Sequence, residues 1–376
     1  MKSNFILILL FTTSIAAEPL LERFPEHIWT TKHIPYFLDP DFSNGMKTEI
    51  RKVITLFEKS TCLSFEETTI RPSSGWMNIS AKNSFSSNDC AALVGRYEND
   101  SFVILAEPFC NSPQTIAHEI GHALGLVHTH QRFIRDKYVH VDMDKIPLDE
   151  RNNYEQVNDW KTKDLSYDYG SMMHYIGLKP TDPRRQFSIR NYMFLGPALS
   201  DFNMLNTMYQ CHVPDEKINE CQHGGFANPK NRTICVCPLG FSGLKCERRS
   251  DGNVNRRKCG SDLHAKPGWT TKQEFHFCFN KTKNSHLDCH WHIKASPNKQ
   301  VELELRSISG AHMYSEFCTK QGVEIKTENF HLGGFRFCEQ AQLPQRFVSN
   351  GSLVTVSMHS LCQSGLFGFR MRFRQK

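Results

Sequence analysis

The feature that most constrains this chain is the run His118-Glu119-Ile-Gly-His122-Ala-Leu-Gly125-Leu-Val-His128. Residues four apart share one face of a helix, so His118 and His122 can aim both imidazoles at one metal ion. Glu119 projects beside them and can take a proton from metal-activated water. Taken alone, the pentapeptide is equally well two histidines on an ordinary helix. The extension separates the readings. Gly125 can adopt a left-handed conformation, end the helix and return the chain so that His128 reaches the same ion. Three neutral nitrogens with a vacant position describe a catalytic site for one Zn2+ ion rather than a closed structural one. His130 lies two residues beyond the third histidine, lacks that geometric reason, and is left out of the ligand set.

The amino terminus sets the compartment. Lys2, the apolar run from Phe5 to Phe11 and the small residues Ser14, Ala16 and Ala17 read as a signal peptide over residues 1–17. No segment approaches twenty apolar residues, so no membrane span is expected and the protein should be secreted and extracellular. The fourteen cysteines then read as structural bridges. Sequons at Asn78, Asn99, Asn231, Asn280 and Asn350 become candidate glycosylation sites. A net charge of +6 without a long basic block excludes a nucleic-acid surface.

A length of 376 residues implies two or three domains. Cysteine density marks them: a first domain over 18–212, a small module over 217–247, a charged linker over 248–258 and a last domain over 259–376. The first is α+β. Ile34 to Phe37, Met77 to Ser80 and Ser101 to Leu105 read as strands. Met46, Ile50, Val53, Ile54 and Phe57 recur at helical spacing behind a Ser43 cap. Ser112-Pro113 opens a second helix, and another is expected from after Ser200 to Cys211. The module around Cys221, Cys235, Cys237 and Cys246 is too small for a useful core and must depend on disulfides. Alternation at Val301–Leu305 and Leu353–Ser357 marks the last domain as an all-β sandwich.

Downstream of the histidine run stands Tyr167-Asp-Tyr-Gly-Ser171-Met-Met173-His-Tyr175. Together with Arg132, Arg135-Asp136, Trp29 to Tyr36, Cys90 to Arg96 and Leu205 to Cys211, these segments resemble the astacin family of metzincin zinc endopeptidases. The resemblance implies an endopeptidase cleft with Met173 as the Met-turn beneath the metal. It also implies that Tyr175 is a further, switchable ligand that stabilises the oxyanion, a role a phenol near a metal can fill. It pairs Cys62 with Cys211 and Cys90 with Cys110, and makes Cys90 to Val94 the sheet edge along which substrate lies. The small module resembles a shortened EGF-like module, with Cys221–Cys235 and Cys237–Cys246 bridges. The last domain resembles a CUB domain of nematode astacins, with Cys259–Cys289, Cys318–Cys338 and Cys278–Cys362. Protein or peptide substrates are the implied partners of the first domain, and extracellular proteins those of the other two.

Two positions depart from the family pattern. Thr129 stands where the family has a glutamate that anchors the mature amino terminus, so that ion pair is not expected here. Few residues separate the signal sequence from Trp29 and no aspartate precedes Asp39, so release in active form by signal peptidase is expected, beginning near Leu20. The function these residues imply is zinc-dependent hydrolysis of peptide bonds in extracellular or matrix proteins, with Glu119 as general base. An adhesion protein built on a dead protease is the alternative, and the filled catalytic positions speak against it.

Overall fold

A computed structural model describes residues 27–81, 90–96, 100–157, 162, 164–186, 188, 197–211, 220–254, 257–278, 287–310, 318, 321–360 and 365–376. The signal sequence, the expected mature terminus, Asn99, Asn280 and the Cys278–Cys362 pairing lie outside them.

In the first domain, β1 (His33–Leu38) leads to α1 (Asn44–Ser60), whose Ser43 hydroxyl accepts from the Met46 amide over 3.1 Å. The five apolar residues expected on one face of α1 are all buried. Strands β2 (Ser64–Glu67), β3 (Met77–Ser80), β4 (Cys90–Ala92) and β5 (Ser101–Leu105) complete a sheet of order β2-β1-β3-β5-β4. All pairings are parallel except that of β4, which closes one edge antiparallel to β5. Parallel strands need covered faces; α1 and α2 (Pro113–Ala123) supply apolar cover in one cluster with Ile34, Met77, Ile79 and Val103. Helix α2 starts where expected, with the Ser112 hydroxyl accepting from Thr115 and Pro113 in the first turn. Short strands β6 (Val139–His140) and β7 (Lys179–Pro180) pair in the loop region below the helices.

The last helix of this domain, α3 (Leu199–Met208), differs from its expected bounds. It begins earlier because the Asp201 carboxylate accepts from the Ala198 amide. It ends before Cys211 because Gln210 has φ of +49°, which breaks the helix as the chain turns into the Cys62–Cys211 bridge. A second bridge, Cys90–Cys110, ties the edge strand β4 to the segment leading into α2.

The small module consists of two hairpins of two-residue strands: β8 (Phe226–Ala227) with β9 (Cys235–Val236), and β10 (Phe241–Ser242) with β11 (Arg248–Arg249). The bridges Cys221–Cys235 and Cys237–Cys246 hold it. Arg248 and Arg249, expected to begin a linker, form a strand of the module instead; backbone pairing with Phe241 and Ser242 decides this over their charge. Asn253 continues the correction, bridging to Asp288 of the next domain.

That next domain stacks two sheets. One contains β12 (Gly260–His264), β14 (Leu287–Lys294), β19 (Leu353–Ser360), β16 (Gln321–Lys326) and β17 (Phe335–Phe337) in that spatial order. The other contains β13 (Thr270–Cys278), β20 (Gly365–Gln375), β15 (Val301–Gly310) and β18 (Gln345–Val348). Alternate residues Val301, Leu303 and Leu305 meet Val354, Val356 and Met358 in one core around Trp291 and Phe369. The Cys259–Cys289 and Cys318–Cys338 bridges secure it. No helix among the described residues is long and apolar enough to cross a membrane.

One expected modification conflicts with the fold. Asn78 lies in the interior strand β3 with 5 % of its surface exposed, so a glycan there has no space. Asn231 and Asn350 are exposed.

Candidate metal centre

His118, His122 and His128 bring one potential ligand atom each to within 4.8 Å of one another. His118 and His122 project from buried positions on α2. His128 arrives by the turn at Gly125, whose φ is +96°. The Gly125 amide donates to His122 O over 2.7 Å and the Leu126 amide to Gly121 O over 2.9 Å, which closes the helix. A side chain at Gly125 would also press on Ile28 and Met208.

Each imidazole is oriented through Nδ1. That of His118 bonds Met172 O over 2.7 Å, that of His122 bonds Leu126 O over 2.7 Å, and that of His128 faces Gln131 Oε1 at 3.2 Å. A carbonyl acceptor at Nδ1 fixes the tautomer and leaves Nε2 as the lone-pair donor. The Nε2 atoms of His122 and His128 are 3.1 Å apart. Burial lowers the pKa of His122 to about 4 and takes His128 well below the usual histidine range, so both stay neutral at physiological pH. Three imidazole nitrogens of borderline softness, each ring backed by a carbonyl oxygen, fit a single zinc ion.

Glu119 is buried on α2 between the first two histidines. Tyr175 is half-buried, and its ring centre lies 4.1 Å from that of His128. Met173 is buried under the helix, with its sulfur next to Gly121. The turn holding it is tied down on all sides. Thr129 donates from its amide to Met173 O over 2.9 Å and from its hydroxyl to Ser171 Oγ over 2.8 Å. Ser171 Oγ also accepts from the Met173 amide and donates to Asp201 Oδ1 over 2.5 Å, while Asp201 Oδ2 accepts from the Met172 amide. Burial pushes the Asp201 carboxyl up to about 7, against the Ser171 hydroxyl and the Met172 and Ala198 amides that favour its charge. Thr129 thus takes a neutral partner, Ser171, on the turn that holds Met173.

Sequence reasoning did not anticipate the layer behind the ligands. His130 is fully buried, packs 4.4 Å from Tyr175 and 5.2 Å from His128, and bonds Asn153 O through Nε2. Burial lowers its pKa to about 3, which makes it a neutral wall. Tyr154 closes the same aromatic group against Tyr175 at 5.7 Å. The buried Arg132 guanidinium donates to the Ser166, Thr162 and Leu165 carbonyls, and Arg135 donates to His130 O and Tyr154 O. Nothing in the spacing marks these residues, because their roles depend on loops that meet only in the folded chain.

The three histidines at the end of a helix, over a buried Met173, stand as the resemblance to a metzincin zinc endopeptidase implies. Comparison with known proteins narrows this. Residues 22–188 match the model of the Astacin peptidase family, and residues 259–373 match the CUB domain model. Zinc metalloproteinase nas-32 of Caenorhabditis elegans is 32 % identical over 80 % of this chain and 45 % of its own length. Blastula protease 10 of Paracentrotus lividus is 28 % identical over 92 % of this chain and 58 % of its own. Among solved structures, high choriolytic enzyme 1 of the medaka Oryzias latipes matches with a TM-score of 0.41 and 21 % identity, over 50 % of this chain and 96 % of that one. The chain thus carries an astacin-family peptidase domain over residues 22–188, followed by a CUB domain over residues 259–373. It spans about half the length of the curated relatives it matches, from 45 % to 62 % for the first three.

Proposed function

We propose that this chain is a secreted zinc-dependent endopeptidase that hydrolyses peptide bonds in extracellular or matrix proteins. The observation that carries the reading is the convergence of His118, His122 and His128, with every Nδ1 directed at an oxygen acceptor and Nε2 left to the metal. When bound there, zinc supplies Lewis acidity, polarising a peptide carbonyl and making water acidic near neutral pH.

The protein's own groups do the rest. Glu119 accepts a proton from the attacking water and returns it to the leaving amine, so no covalent enzyme intermediate forms. Tyr175, beside His128, donates its phenolic hydrogen to the oxyanion as charge develops. Among the described residues β4 is an edge strand, and its outer side offers backbone groups on which an extended substrate can add a strand. Secretion is supported by six disulfides among the described residues, a pattern of oxidising compartments. The module and the CUB domain are read as sites for extracellular protein partners.

Metal analysis combined with cleavage of a denatured protein tests the proposal. One zinc per chain is expected, chelation should stop cleavage, and zinc should restore it. Cleavage that survives complete removal of the metal would overturn the reading.

A further inference from the structure

The CUB domain meets the catalytic domain next to the Met-turn. Asp168 is buried, and its Oδ1 accepts from the Gly170 amide over 2.7 Å and from the Gly333 amide of the CUB domain over 2.9 Å. Its Oδ2 accepts from the Ser200 hydroxyl over 2.6 Å. Arg185 reaches back across the junction. Its Nη1 donates to Gly333 O over 2.8 Å, and its guanidinium lies 3.7 Å from the centre of the Phe335 ring and 5.4 Å from that of Tyr169. The backbones of Gly170 and Gly333 touch so closely that a Cβ on either would sit about 3 Å from the Cα of the other. A side chain on either glycine would force its neighbours to give way.

The CUB side of this contact is stiff. The Glu324 carboxylate accepts from the Gly334 amide and from Arg336 Nε, each over 2.8 Å, and both charged side chains are 1 % exposed. The Arg336 amide in turn donates to Ser188 of the catalytic domain over 3.3 Å. A buried, hydrogen-bonded ion pair holds the 333–336 segment, which leads into β17, rather than leaving it to solvent.

The catalytic side leads to the metal. Three residues after Asp168, Ser171 binds Thr129, the neighbour of His128, and the Met173 amide. One residue further, Met172 O receives His118 Nδ1. We propose that the CUB domain is a clamp on the Met-turn: Gly333, gripped by Asp168 and Arg185, fixes the 168–175 segment and through it the orientation of His118 and the place of Tyr175. Asp168, Arg185 and Gly333 are therefore positioning residues for the metal site, distant from the metal in sequence and two of them outside the motif. This inference rests on the peptidase reading for its catalytic consequence, and on geometry alone for its consequence at the metal.

The test uses the full chain carrying Gly333→Val or Arg185→Ala, with Arg370→Ala on the exposed face of β20 as control. The chains are compared in three ways: by the absorption spectrum of the cobalt-loaded protein, by the rate of metal release to a chelator, and by kcat and KM on a short peptide. A short peptide reports on the catalytic site itself, and a domain that only recruits large substrates would leave its cleavage unaffected. The clamp predicts an altered cobalt spectrum, faster metal release and kcat lowered roughly ten-fold with KM within about two-fold, in both interface variants and not in the control. If Gly333→Val fails to fold, Arg185→Ala carries the same expectation, with Arg185→Lys restoring part of kcat. A folded, metal-loaded interface variant with unchanged spectrum, release rate and kcat overturns the clamp. If the wild-type chain binds metal but cleaves nothing, the peptidase reading fails, and the spectral comparison still decides the clamp.

Discussion

Thr129 donates its hydroxyl hydrogen to Ser171 Oγ over 2.8 Å, joining the residue after His128 to the turn that holds Met173. Ser171 is the hub, since it also accepts from the Met173 amide and donates to the buried Asp201. Thr129→Val removes one donor and keeps the shape, and should cost about 1 kcal/mol. Ser171→Ala leaves Thr129, the Met173 amide and the Asp201 carboxylate short of a partner, and should cost about 2–3 kcal/mol. Urea unfolding of the two variants checks the order; equal costs would contradict the hub.

Gly125→Ala forces a methyl group onto a residue at φ +96° beside Ile28 and Met208. Strain of about 1–3 kcal/mol is expected, and it falls on the turn that delivers His128. Zinc should leave this variant faster than the wild type under a chelator. An unchanged release rate would mean that the turn does not set the ligand.

The parts of the site legible in the sequence were those with a local period. The spacing of 118, 122 and 128 is a property of one helix and one turn, and these histidines do stand together. The apolar face of α1 was legible for the same reason. The end of α3 was not, because a left-handed Gln210 and a disulfide to Cys62 stop it, and neither acts through helical periodicity. Arg248 and Arg249 looked like linker because charge says nothing about backbone pairing. The Asp168–Gly333 contact spans 165 residues and carries no pattern at all.

Asn78 shows that limit in chemical form. Its sequon is intact, yet its side chain is buried in β3 between two paired strands. Mass spectrometry of glycopeptides from the secreted protein should find Asn78 bare and should find glycan at Asn231, Asn350 or both. A glycan on Asn78 in folded, active protein would contradict the position of β3.

The junction between the small disulfide-held module and the CUB domain should be acid-labile. His292 Nε2 bonds Gly240 O over 3.0 Å and its ring packs on Phe241. Burial lowers its pKa to about 4 from an ordinary 6.5, so unfolding takes up a proton between those values. The stability this group contributes is complete above about pH 6.5 and is lost as pH falls towards 4. Melting temperature followed across that range should fall, and the fall should be shallower in His292→Asn. Identical slopes would show that the imidazole stays neutral in both states.

The assignment of Glu119 as the proton carrier is tested most directly by kcat/KM of Glu119→Gln measured with its zinc content confirmed. The substitution keeps the shape of a buried side chain between two ligands and removes only its basicity. The expected result is one zinc per chain and a loss of roughly 10²–10⁴-fold in kcat/KM. A zinc-loaded Glu119→Gln protein that cleaves as fast as the wild type would contradict it.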